Sequence, residues 1–236
     1  MKRLQGLFDS PARLGALPLS SAVVTACYQD KIPSELVELA EQIRACQRCR
    51  LAQTRGRTVP GEGPEHAPIL LIGEAPGMNE DRQGRPFVGR SGDLLEALLA
   101  SIGLRRGDVF IANGVKCRPP ENRDPLPDEI AACRPYLERQ IELIRPKVVI
   151  TLGRIAMARY FPGQSISRIH GQIQWVDAVG YVPMFHPAAA LRNPPWMAAL
   201  RADFARLAPL VAELYPGRTG EPLASAADEA AQLSLF

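Results

Sequence analysis

The chain has 236 residues, 46% hydrophobic and 22% charged, with 28 Lys and Arg against 25 Asp and Glu. That balance belongs to a folded globular chain and excludes a fibrous or largely disordered one. No apolar run approaches the roughly eighteen residues of a membrane span, and the N-terminus lacks the apolar core of a secretory signal, so no membrane partner and a cytoplasmic address are expected. A formal charge of +3 is too small to prove a nucleic-acid partner, and five cysteines in a chain this long suit metal binding or chemistry better than a disulfide scaffold.

Residues 1–33 mix Gly, Pro, Ser and Ala without periodicity and read as an N-terminal extension. Ser34 is a plausible N-cap for a helix with apolar positions Leu36, Leu39, Ala40 and Ile43, which delivers Cys46 and Cys49. Four apolar runs follow as strands, at residues 68–72, 109–112, 147–152 and 181–185. Between them, Leu94, Leu95, Leu98, Leu99 and Ile102 mark one helix stopped by Gly103. Ile130, Cys133, Leu137, Ile141 and Ile144 mark another, with Pro135 near its first turns or at a kink. A short helix follows Gly153, and a last one runs from about Pro195 to Leu214.

Alternating helices and nearly continuous apolar strands indicate a buried parallel sheet between helical layers, and Pro183 puts the fourth strand at an edge or makes it begin late. The folded unit spans 34–214, residues 215–236 form a tail, no internal repeat is present, and the chain is expected to be a monomer. Ligands of open parallel sheets bind beyond the C-terminal strand ends. Those ends read Gly73-Glu74-Ala75-Pro76-Gly77, Asn113-Gly114, Gly153-Arg154 and His186-Pro187, so a carboxylate, a carboxamide and an imidazole converge on one rim.

Cys46 and Cys49 form a C-x2-C pair able to grip one metal centre, with Cys117 and Cys133 downstream. The second pair is too widely spaced for a zinc knuckle, and four thiolates suit zinc or an iron–sulfur cluster equally by spacing. Cys27 stands outside the set.

Taken together, Cys46-x2-Cys49, Gly73-Glu74-Ala75-Pro76-Gly77, the run 84–92, Asn113 to Pro120, Cys133 to Leu137 and His186 to Arg192 resemble the family 4 uracil-DNA glycosylases, in the family's order, over roughly residues 34–210. The resemblance implies a three-layer α/β/α sandwich with a four-stranded parallel sheet, and a [4Fe–4S] cluster on Cys46, Cys49, Cys117 and Cys133. It also implies hydrolysis of the N-glycosidic bond of uracil in single- and double-stranded DNA. Such an enzyme extrudes the base and stabilises opposite charges on the sugar and on the leaving uracil.

In that frame His186 donates to uracil O2, Phe87 stacks on the flipped base, and the Asn113 amide reads O4 and N3–H. The main chain of Gly73, Ala75 and Gly77 lines the pocket. Where better-known uracil glycosylases carry an aspartate that directs water, this chain has Ala75, which leaves Glu74 to shape the pocket or water site and Glu80 as the second acidic candidate. Ser91 opens a helix that meets phosphate, Leu191 is the wedge and Arg192 a phosphate contact. Arg85, Arg90, Lys116, Arg118 and Arg168 supply further charge, and the loop 60–63 resembles the family's other backbone-pinching loop.

The terminal Gln232-Leu233-Ser234-Leu235-Phe236 looks like the pentapeptide with which bacterial repair proteins dock on the DNA sliding clamp. Two other classes compete. One is a non-catalytic iron–sulfur module that binds DNA and senses damage. The other is a uracil-DNA crosslinking relative, whose histidine-bearing loop between the second and third strands has no counterpart at residues 118–127.

Overall fold

A computed structural model describes residues 34–217 and 223; the extension, Cys27 and the clamp-like peptide at 232–236 lie outside the described residues. Four parallel strands form the sheet: β1 (Ile69–Gly73), β2 (Phe110–Asn113), β3 (Val148–Leu152) and, last along the chain, β5 (Val179–Met184). To these the fold adds β4 (Gln174–Val176), a short antiparallel strand on the outer edge, in the order β2-β1-β3-β5-β4. Residues Gln174, Trp175 and Val176 are all exposed, so β4 lacks the apolar signature that marks the inner strands.

Pro183 is accommodated because β4 opposes only Val179, Gly180 and Tyr181. Gly180 and Met184 bond toward β3, so Pro183 turns its missing N–H the other way, beyond the end of β4. The strand is therefore an inner strand at its start and an edge strand at its proline.

The β pleat divides the core. Ile69, Leu71, Ile150, Val182 and Met184 point to one side, where they meet α3 (Arg90–Ala100), α7 (Pro187–Ala190), α8 (Pro194–Arg206) and α9 (Ala208–Leu214). Leu70, Ile72, Ala112 and Val149 point to the other, against α1 (Glu35–Arg44), α4 (Pro127–Ile144) and α5 (Arg154–Ala158). That is the expected three-layer α/β/α sandwich. Two short helices, α2 (Met78–Gln83) and α6 (Ile166–Ile169), complete the described elements used below.

Two helical expectations are refined. The single last helix is two, broken at Leu207, with Pro209 in the first turn of α9, where a missing N–H is harmless. Pro135 sits mid-helix in α4. No helix among the described residues is long and apolar enough to cross a membrane.

Candidate active site

Because the four long strands run parallel, their C-terminal ends share one rim, and register does the rest. Gly73 is the direct cross-strand partner of Asn113, and Leu152 of Met184. A cavity of about 940 Å³ opens over this rim, lined by Glu74, Ala75, Gly77, Phe87, Asn113 and His186 among others, with Ser91, Leu191 and Arg192 at its walls. Every proposed catalytic and base-binding residue except Gly73 therefore borders one void, together with Ser91, Leu191 and Arg192, and Gly73 ends β1 against Asn113 and Phe87. A Cβ at Gly73 would lie 2.3 Å from Asn113 Oδ1 and 2.8 Å from the Phe87 ring, so only glycine lets ring and amide close over the end of β1.

Asn113 is almost wholly buried, and its Oδ1 has no hydrogen-bond partner among the described residues. A buried acceptor left unsatisfied costs about 1–3 kcal/mol, so the amide is an acceptor waiting for a donor from a ligand. The Phe87 ring lies 5.7 Å from the His186 ring, 22° from parallel. Phe87 has φ +50°, a left-handed backbone that costs a non-glycine residue about 1–3 kcal/mol and persists only where neighbours hold it. Gly92 is one of them: a Cβ there would sit 2.0 Å from the Phe87 carbonyl.

His186 caps α7, its Nδ1 accepting the N–H of Ala188 at 3.1 Å. An acceptor at Nδ1 fixes the neutral tautomer with its proton on Nε2. Burial pushes the imidazole pKa down to about 4, against an opposing pull from the Glu80 carboxylate, so the ring is neutral at physiological pH. Glu74 is anchored on the first turn of α5, accepting the N–H of Ile155 at 3.0 Å. Burial nonetheless raises its carboxyl pKa, more than that main-chain hydrogen bond lowers it.

The second acid is placed differently. Glu80 is buried, and its two oxygens accept N–H groups of Gly77 (3.1 Å), Val88 (2.9 Å) and Gly89 (3.2 Å), tying the loop after β1 to the loop that carries Phe87. Its oxygens are committed to the main chain.

Two basic candidates for the DNA grip are otherwise engaged. Lys116 is buried, with Nζ donating to the Asn113 carbonyl at 2.8 Å and to Gln140 Oε1 at 2.6 Å, so it cannot reach a phosphate. Arg85 is paired through two hydrogen bonds with Glu62, which itself bridges to Ile111 of β2. Leu191 is only half-buried and packs on the core beside the cavity, while Arg192 is exposed at the rim.

The sequence left two rim residues unnoticed. Trp196 stacks on Phe185 at 5.0 Å with 40% of its surface exposed, and Met78 is 52% exposed. Trp196 falls in the first turn of the helix after the His-Pro loop and Met78 directly after the Gly73–Gly77 run; exposed apolar residues so close to site loops were the available signal.

Cys49, Cys117 and Cys133 pack together with Leu51 and Val115, and Cys133 lies within electrostatic reach of the other three cysteines. N–H donors already face their sulfurs: Arg55 Nη1 to Cys117 at 3.2 Å, and the main-chain N–H of Lys116 to Cys133 at 3.2 Å. Among the described residues, no group of three or more His, Cys, Asp or Glu is arranged around a single metal ion. Ala75 packs against this cysteine group on one side and lines the cavity on the other.

A buried parallel-sheet rim bearing an unsatisfied amide, a neutral imidazole and a stacking ring defines a protein that binds a flat, polar heterocycle. The profile of the Uracil DNA glycosylase superfamily matches residues 60–207. Relatives include the Type-4 uracil-DNA glycosylases of Saccharolobus solfataricus (50% identity over 72% of this chain and 83% of the relative), Archaeoglobus fulgidus (43%, over 77% and 96%) and Thermotoga maritima (46%, over 67% and 85%). The chain belongs to the Uracil DNA glycosylase superfamily.

Proposed function

We propose that this protein hydrolyses the N-glycosidic bond of uracil in DNA, releasing the base and leaving an abasic site for repair. The observation that carries the reading is the unpartnered Asn113 Oδ1. Uracil offers N3–H to that acceptor and O4 to the amide's N–H groups. Cytosine presents the reverse pattern, which leaves both partners unpaired in a dry site and is rejected strongly. Phe87 stacks on the base, and Nε2–H of His186 donates to O2.

As the glycosidic bond breaks, its electron pair leaves with uracil and the sugar becomes cationic. The His186 donor then strengthens its bond to the new anion without having to lose a full charge of its own, which is the differential binding that lowers a barrier. The Glu74 carboxylate faces the developing cation and orients a water; that water adds to the sugar carbon and passes its proton to Glu74, from which it returns to solvent or to the released uracil anion. Glu80 acts by holding the two loops together. Ser91 at the start of α3, with Leu191 and Arg192, takes the flanking backbone and the gap left by the base.

Cys46, Cys49, Cys117 and Cys133 would hold a [4Fe–4S] cluster. The set fits by its chemistry: four soft donors from three separate segments, three of them already met by N–H groups. When bound, the cluster would tie the loops beside Ala75 and Asn113 together. Iron and sulfide in equal amounts, with brown colour, support this; colourless zinc-loaded protein overturns it. A cytoplasmic address and docking on the sliding clamp through Gln232, Leu233, Leu235 and Phe236 belong to the same reading, and deleting 232–236 should abolish clamp co-elution without changing excision.

The decisive experiment compares wild type and Asn113→Ala on uracil-containing single- and double-stranded oligonucleotides, scoring cleavage at abasic sites. Wild type should release uracil, and the variant should lose about 100-fold or more in single-turnover rate while still binding DNA. No release by wild type, or equal rates, rejects the proposal. A DNA adduct that survives denaturation would favour the crosslinking relative instead.

A further inference from the structure

The platform under the base has a support that no motif marks. Arg106 follows α3 by one short turn, and its side chain is only 15% exposed. Its guanidinium reaches back across the chain: Nη1 donates to the Phe87 carbonyl at 2.8 Å, and Nη2 donates to the Pro86 carbonyl. Nε is held by Glu62 Oε1, and Nη1 also meets Glu96 Oε1 at 3.2 Å. Glu62 is in turn fixed by main-chain bonds to Ile111, at 3.0 and 2.8 Å, on the strand that ends in Asn113.

The two carbonyls held by Arg106 belong to the peptides that enter and leave the left-handed Phe87, while Glu80 accepts the N–H groups of Val88 and Gly89 that follow it. The turn is therefore gripped from both sides. One grip runs through Glu62 to the strand that bears the base-reading amide.

We propose that Arg106, oriented by Glu62, is a positioning residue that sets the height and tilt of the Phe87 ring relative to Asn113, and so how well a flipped pyrimidine is sandwiched. The inference rests on the uracil-excision reading for its substrate, but the clamp itself is a statement about this chain's own geometry. A guanidinium is required because a planar fork can serve two carbonyls and a carboxylate at once, whereas a lysine ammonium is a single point.

The test is a double-mutant cycle with a spectroscopic arm. Arg106→Ala should lower kcat/KM for uracil release by about 10–100-fold, the scale of a roughly 1 Å misplacement of a binding group. Arg106→Lys should recover part of that, and Glu62→Gln should give an intermediate loss with little change in melting temperature. In a Phe87→Ala background, Arg106→Ala should change kcat/KM by less than about twofold, because the ring it serves is gone.

A 4-fluorophenylalanine at position 87 should give one 19F resonance in the otherwise wild-type protein and a shifted or exchange-broadened one with Arg106→Ala. Equal losses from Arg106→Ala with and without the Phe87 ring, or an unmoved fluorine signal in a folded variant, would overturn the proposal. Wild type that releases no uracil would instead reject the proposed function, and the fluorine arm would still decide the clamp.

Discussion

His186 and Glu74 are both half-buried at one rim, and desolvation drives them in opposite directions on the pH scale. For the imidazole it favours the neutral form, lowering the pKa to about 4, with the Glu80 carboxylate opposing. The folded value lies below the ordinary value near 6.5, so between those two pH values the unfolded chain takes up the proton first. His186 therefore subtracts stability progressively as pH falls from about 6.5 to about 4, on the order of 3 kcal/mol across that window. Excision should show no inflection near 6.5 on this account, and a pH–rate profile with a histidine-like break there would contradict the neutral-donor role.

For Glu74, burial raises the carboxyl pKa despite the helix N–H it accepts. A raised acid favours the fold when protonated and loses that advantage as pH climbs through its folded value, so ionising Glu74 costs the fold stability. Glu74→Gln should therefore leave the melting temperature at pH 7 unchanged or higher, while cutting the single-turnover excision rate by about 100-fold or more. Calorimetry beside a burst assay checks both halves. A large fall in melting temperature would mean that the acid is structural.

At the scale of elements, the site depends on where strands stop. β1 ends in a glycine whose cross-strand partner is Asn113, and the missing side chain is the space that Phe87 and the amide occupy. Gly73 has no left-handed φ to protect. Gly73→Ala should accordingly leave the sheet folded, yet cut uracil release by about 100-fold or more through displacement of the ring and the amide; activity within a few-fold of wild type would show that the floor can give. Gly92 holds the corresponding place on α3, where the Phe87 carbonyl approaches too closely for a methyl group.

At the scale of the whole molecule, much of the basic charge is spent internally. Arg85, Arg106, Arg123, Arg139, Arg154, Arg159 and Arg206 all sit in ion pairs. With a formal charge of only +3, the proposed grip on DNA draws on exposed groups at the cavity mouth such as Arg192. The logarithm of the binding constant should fall with the logarithm of salt with a slope of about −2 to −4, and Arg192→Ala should reduce that slope by about 1 while weakening uracil-containing and uracil-free duplexes alike. A change confined to uracil-containing DNA would move Arg192 from the backbone to the base.

The local pattern of residues was enough to specify the layers, the four parallel strands, the rim on which Glu74, Asn113 and His186 meet, and the Cys46–Cys49 pair. Each follows from hydrophobic periodicity or from a turn motif, both of which are written within a few residues. Only the folded chain decided that Glu80 ties loops together, that Lys116 is buried under Asn113, that an exposed strand extends the sheet, and that Arg106 holds the stacking ring. Those outcomes rest on hydrogen bonds between segments far apart in the chain. Where a long polar side chain finds its partner is settled by the packing of the whole, because the same arginine or glutamate would serve a phosphate, a water or a peptide carbonyl equally well.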